Sequence, residues 1–146
     1  MIKTILVPLD GSAHSRKALE FACELASKYD ASLHLLNVTQ PPVSDQVLTL
    51  GAASVMVGGS PADLTRAGRT VVEAAADLAR ARGVTSLTTE VTTGDPARGI
   101  IDSAKSLPAD MIVVGSRGLG ELSGLLLGSV SHKVSHLAPC TCVVVK

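Results

Sequence analysis

Apolar positions along the chain recur with two different periods, and the switches between them divide it into alternating strands and helices. Ile2 to Leu9 is a β-branched and apolar run, and Pro8, which cannot donate to a ladder, belongs at its end. From His14 to about Tyr29, residues Ala18, Leu19, Ala22, Leu25 and Ala26 return at helical spacing, with Glu24 and Lys28 able to pair across one turn. His14, in the first turn, reads as a solvated polar residue. Ser32 to Val38 reads as a second strand, apolar enough to be covered on both faces. Gln40 to Gly59 contains Pro41-Pro42, Gly51, Gly58 and Gly59 and sustains no period, which makes it long for a loop in a compact domain. Three readings of it stay open: a cover over a ligand, a surface excursion, or a short extra helix around Val47 to Val57.

The next start signal is Ser60-Pro61, with Asp63 three residues after the serine in a capping-box arrangement. Leu64, Ala67, Gly68, Val71, Ala75, Leu78 and Ala79 then keep helical spacing up to a stop at Gly83. Leu87 to Thr92 alternates with threonines and Glu90, as a strand at a sheet edge does. Gly94-Asp95-Pro96 opens a third helix with Asp95 as its N-cap and Ile100, Ile101, Ala104 and Leu107 inward. Arg98 is read as a solvated surface residue, with a reach toward an anion as the alternative. After the turn Pro108-Ala109-Asp110 comes a strand from Met111 to Val114, and after Gly128 a helix with Val130, Val134 and Leu137 on one face. Pro139 leads to a last apolar strand, Thr141 to Val145, expected at the opposite edge, where unpaired main chain templates further pairing. Five strands alternating with four helices predict an α/β sandwich with helices on both sheet faces and right-handed crossovers.

Composition narrows the picture. The 146 residues suit one domain, 1–146, with a sizeable core. Hydrophobic residues make up 46% but aromatics only 1%, so the interior must be built from Val, Leu, Ile and Ala. Thirteen basic residues balance thirteen acidic ones, which argues against a nucleic-acid footprint, and stacking platforms for single strands are lacking. Met1 leads directly into a strand-like run, and no apolar stretch approaches the roughly 20 residues of a membrane span. A cytoplasmic location without membrane contact is therefore expected. Cys23, Cys140 and Cys142 form no CxxC and read as buried thiols, the last two expected on opposite strand faces. His132 and His136 sit four apart like a metal pair, but without a glutamate between them or a third ligand nearby they read as helix-surface residues.

The candidate chemistry lies in Gly115-Ser116-Arg117-Gly118, followed later by Gly128-Ser129. These glycines fall between a strand and a helix, where bare main-chain N–H groups converge on an anion without a side chain in the way. Ser129 stands at a helix start, where open N–H groups favour negative charge and its hydroxyl caps the helix or meets a phosphate oxygen. The spacing is not that of a P-loop, because no lysine precedes Ser129. Asp10-Gly11-Ser12 follows the first strand and would line the same ligand crevice. For Ser12, capping the next helix and contacting a ligand are equally good readings. Val38, at the end of the second strand, is either ordinary core or part of that crevice.

The pattern G-x-x-G, nine residues, G-S after a strand ending VVG resembles the nucleotide-binding signature of the universal stress protein family. The opening ILVPLDGS and the closing LAPCTCVVV are similar to that family too, so the likeness covers nearly the whole chain. It implies a three-layer α/β/α, Rossmann-like sandwich, akin to adenine nucleotide alpha hydrolases, with a five-stranded parallel sheet of order 3-2-1-4-5. It also implies the ATP-binding subgroup, with adenine against Pro8, Asp10 and Val38, Asp10 near the ribose as well, and the ribose near Gly115. Phosphates would meet Gly118, Gly128 and the Ser129-Val130-Ser131 helix start, with Arg117 as a charge partner and a magnesium ion bridging phosphates. The resemblance further implies a homodimer through Thr141 to Val145 and a regulatory role in stress response. The alternatives are an ATP hydrolase, slow at most because no lysine or acid lies in the motif, and a nucleotide-free dimeric interaction module.

Overall fold

A computed structural model describes residues 1–41, 47–50, 53–56, 60–119 and 127–146. Five strands form one parallel sheet: β1 (Thr4–Pro8), β2 (Ser32–Thr39), β5 (Leu87–Thr93), β6 (Met111–Gly115) and β7 (Thr141–Val145). Their spatial order is β5-β2-β1-β6-β7, which is the order 3-2-1-4-5 when only strands of this sheet are counted. Helices α1 (Ala13–Tyr29) and α2 (Pro61–Ala81) cover one face, and α3 (Pro96–Ser106) and α4 (Ser129–Leu137) the other.

Each face has its own apolar layer. Ile5, Val7, Leu33, Leu35 and Val113 meet Ala18, Leu19, Ala22 and Ala76 on the first face. Leu6, Leu36, Ile112 and Val114 meet Ile100, Ala104 and Val134 on the second. Successive residues of β1 and β6 point to opposite layers, so the central strands read as continuous apolar runs. Alanines let the helices lie close on the sheet. The chain's aromatics, Phe21 and Tyr29, stay partly exposed on α1, at 38% and 42%.

The helix starts follow the local signals. Ser12 caps α1, Ser60 and Asp63 form a reciprocal capping box on α2, and Asp95 caps α3. Asp30 ends α1 in the left-handed region at φ 53°. Between β2 and α2, however, the chain forms β3 (Val47–Leu50) and β4 (Ala53–Met56), an antiparallel pair, in place of the short helix considered for Val47 to Val57. Four residues per strand are too few for alternation to register in the sequence. The expectation for the cysteines also needs correction: Cys23 is buried, but Cys140 and Cys142 are half-buried and pack with Val144 against the same apolar layer. Side chains two apart on a strand share a face, because the strand's period is two. Among the described residues no helix is long and apolar enough to cross a membrane.

Candidate functional site

β1 and β6 are neighbours at the centre of the sheet, yet α1 leaves β1 toward one face and α4 follows β6 on the other. Their carboxyl ends therefore diverge. The opening is a crevice of about 580 Å³ bounded by the ends of β1, β2 and β6, the first half of α2 and the starts of α3 and α4. Ligands of open α/β sheets bind at such a switch point.

Pro8 and Asp10 line it from β1, and Val38 from β2. Val38 also packs against α3, where a Cβ added to Gly99 would come within 2.9 Å of Val38 Cγ2. Gly115, Arg117 and Gly118 line it from the loop after β6, and Ser129, Val130 and Ser131 from α4. Two residues named from the sequence lie outside its lining. Ser12 is buried, and its hydroxyl accepts from the Ser15 N–H at 3.2 Å, so it serves as a helix cap. Gly128 is buried as the N-cap of α4, its N–H donating to the Ser116 carbonyl at 2.7 Å.

The start of α4 carries the site's main electrostatic feature. Gly128 offers no side-chain cap, and the N–H groups of Ser129, Val130 and Ser131 donate to no described residue. A helix start left open in this way presents converging donors and positive potential to the crevice. The Ser131 hydroxyl is engaged elsewhere, donating to the Gly115 carbonyl. Asp10 and Arg117 are the charged side chains among the described residues that line the crevice, so donation to an anion rests chiefly on main chain.

The two loop glycines answer to different constraints. A Cβ on Gly115 would lie 2.6 Å from the His14 carbonyl carbon and 2.8 Å from the Ser15 nitrogen. Gly115 thus lets the first turn of α1 lie directly against the end of β6. His14, rather than being fully solvated, is half-buried there, with Nδ1 3.4 Å from the Ser116 hydroxyl. A Cβ on Gly118 would instead lie 2.6 Å from Asp10 Oδ2.

Asn37 and Gly68 also line the crevice and carry no motif. The Asn37 Nδ2 group donates to the Leu9 carbonyl at 2.7 Å, while Oδ1 is buried without a partner among the described residues. That oxygen faces α2 at Gly68, where an added Cβ would come within 2.5 Å. The available signal was Asn37, which with His34 is one of two polar residues in the run Leu33 to Val38.

A second groove, of about 500 Å³, runs between the edge strand β5 and α3. Here Glu90 and Ser103 are drawn into a side-chain network. Buried His34 on β2 meets Glu90 through Nε2 at 2.8 Å and Thr88 through Nδ1 at 2.6 Å, and the Ser103 hydroxyl donates to the same Glu90 oxygen at 2.8 Å. Burial alone would raise the Glu90 pKa, but the hydrogen bonds from His34 and Ser103 outweigh it and hold the carboxyl below its ordinary value. Arg98 borders this groove, with an 84% exposed side chain 3.7 Å from Asp102. His132 and His136 are exposed on α4 with ring centroids 4.5 Å apart, and no group of three or more His, Cys, Asp or Glu suited to a metal occurs among the described residues.

An open parallel α/β sandwich whose glycine loop and helix start meet in a crevice at the switch point has the architecture of a class of nucleotide-binding folds. The sequence profile of the universal stress protein family matches residues 1–146. The chain belongs to the universal stress protein family. It is 36% identical to the universal stress protein YxiE of Bacillus subtilis over 149 aligned positions, covering 100% of both chains. Among solved structures it resembles the universal stress protein UspA from Lactobacillus plantarum, with a TM-score of 0.71 at 28% identity over 99% of this chain and 97% of that one. It also resembles a universal stress protein crystallised in complex with cAMP, with a TM-score of 0.73 at 25% identity over the same shares of the two chains.

Proposed function

We propose that this chain is an adenine-nucleotide-binding regulatory protein of stress response, acting in the cytoplasm and taking ATP in the crevice at the β1–β6 switch point. The observation that carries it is the start of α4, whose N–H groups have no partner among the described residues and whose first residues line the same crevice as the glycine loop. The cAMP complex of the related protein supports an adenine nucleotide as the ligand class.

In this reading the apolar surfaces of Pro8 and Val38 flank the base, and the Gly115–Gly118 loop follows the ribose and phosphates. The Ser129, Val130 and Ser131 N–H groups receive phosphate oxygens, Arg117 neutralises part of their charge, and the exposed Ser129 hydroxyl adds one more donor. Magnesium would enter on the phosphates and offset their charge. Gly128 acts indirectly, by turning the chain into α4. Bound nucleotide then favours one conformation, or one partner surface, over another.

Hydrolysis in this arrangement is slow or absent. Phosphoryl transfer calls for a group that orients the nucleophile, and neither a lysine nor an acid is among the motif residues Gly115 to Gly118 and Gly128-Ser129. Titration calorimetry with ATP, together with mass spectrometry of the purified protein under native conditions, tests the proposal. A saturable heat signal and co-purified nucleotide are expected. No signal and no ligand would reject it, and cAMP as competitor would show whether the cyclic nucleotide shares the site. Brisk hydrolysis lost on Ser129→Ala would instead favour the enzyme.

A homodimer is the second component, supported by β7. It ends the sheet with one side unpaired among the described residues, and Cys142 to Val145 are only half-buried. An exposed apolar edge gains by pairing with its twin. Sedimentation velocity should give a dimer, and Val143→Lys should convert it to monomer.

A further inference from the structure

On the sheet face that carries α1 and α2, two helices cover five strands. α2 lies on β2 and β5, α1 lies chiefly on β6, and β7 is left at the margin. A helix about 10 Å wide covers roughly two strands set about 4.8 Å apart, so the fifth strand has no helix of its own here among the described residues. Val143 and Val145, the β7 side chains on this face, are accordingly half-buried.

The flank of α1 on that side is apolar. Phe21, Leu25 and Tyr29 recur at every fourth residue and form one stripe. Phe21 and Tyr29, the chain's single phenylalanine and single tyrosine, are 38% and 42% exposed, and Leu25 is half-buried against the same layer as Val143 and Val145. His14, two turns before Phe21 on the same flank, reaches the Ser116 hydroxyl just after β6, so the stripe faces the β6–β7 side of the sheet. The other flank has its partner within the chain, where Glu20 meets Arg82 at the end of α2 at 3.0 Å.

Building on the β7 homodimer, a reading this surface depends on, we propose that the stripe Phe21, Leu25 and Tyr29, with Val143 and Val145, is the larger part of the surface on which two copies of the chain meet. The strand alone is too small: β7 offers five residues, whereas a stable interface takes about 20–30 from each side. A twofold axis through the paired β7 edges places the two under-covered margins side by side as one apolar furrow, with an α1 stripe on each wall. Phe21 and Tyr29 then supply the large, rigid side chains on which such interfaces are built. A second copy is the fitting occupant, because pairing of β7 brings both stripes to the same furrow.

Tyr29 is the chain's single tyrosine and tryptophan is absent, so the intrinsic emission of the native protein reports on this stripe alone. Acrylamide quenching of that emission, followed with sedimentation velocity through a dilution series, tests the proposal without any substitution. Exclusion of water at the interface should cut quenching by about half or more from monomer to dimer. Phe21→Ser, present twice in a symmetric dimer, should weaken association about tenfold or more, with circular dichroism unchanged. Equal quenching in monomer and dimer, or a Phe21→Ser dimer as tight as wild type, overturns the proposal and leaves β7 pairing standing. Should Phe21→Ser fail to fold, Tyr29→Ser replaces it in sedimentation, and quenching of wild type needs neither. If Val143→Lys stays dimeric while Phe21→Ser dissociates, β7 pairing fails and the stripe remains the surface between copies. A wild type that is monomeric at every concentration rejects both.

Discussion

The crevice at the switch point and the groove beside α3 are close in size, about 580 and 500 Å³, but they are built in opposite ways. The walls of the first are mostly main chain, glycine and apolar side chains, and its donors at the start of α4 are left without partners among the described residues. Those of the second are largely polar side chains; of these Glu90 and Ser103 bond each other, and Glu90 also bonds His34, which in turn meets Thr88. Volume does not set the two apart; donors without partners among the described residues, at a point of diverging strands, do. The contrast also assigns different work to polar residues. Around the groove they hold the edge strand to its neighbours, and in the crevice they hold loops open for something else.

Substitutions can break or sharpen that contrast. The largest effect should come from Gly115→Ala, because the new Cβ would press on the backbone of α1, which cannot swing aside. A loss of about 2–3 kcal/mol in urea unfolding is expected; a loss below ~0.5 kcal/mol would mean that α1 and β6 separate freely. Gly68→Ala should cost less, about 1 kcal/mol net. Its crowding of the Asn37 and Thr39 side chains is partly offset by the better helix propensity of alanine. The same unfolding measurement checks it, and a stabilised variant would show that Asn37 readily turns away.

Gly118→Ala should alter stability by less than ~0.5 kcal/mol, since the atom it meets is the end of a flexible side chain, yet it should weaken ATP binding. Unfolding and calorimetry on one sample test this split, and equal damage to both would contradict it. The smallest effect belongs to the groove. The folded-state pKa of Glu90 is depressed below 4.5, so its contribution is complete above the unfolded-state value near 4.5 and is lost as pH falls through the lower folded value. The urea midpoint should drop over that acid interval in wild type, and less so in Glu90→Gln, without either change reaching nucleotide affinity. A Glu90→Gln profile parallel to wild type would show that the carboxylate adds nothing to the edge.

Much of the fold was legible in the chain because its signals are local. The apolar run Met111 to Val114, the Ser60–Asp63 box and the Asp95 cap each act within one turn or one strand, and all form where expected. The β3–β4 pair escaped notice because its strands are too short to show a period. At the site, the glycine loop and the start of α4 were readable, since both follow directly from a strand-to-helix junction. The placements of Ser12 and Gly128 outside the crevice were not, because a cap and a ligand contact call for the same residue types.

By itself, the sequence determined which stretches alternate between strand and helix, where the helices start and where the main chain lies bare. Those properties depend on neighbours a few positions apart. Only the tertiary structure decided why each bare position is needed: Gly115 for the backbone of α1, Gly118 for the carboxylate of Asp10, Gly68 for the Asn37 carboxamide. These are close approaches between segments far apart in the chain, set by how layers pack, and no short-range pattern records them.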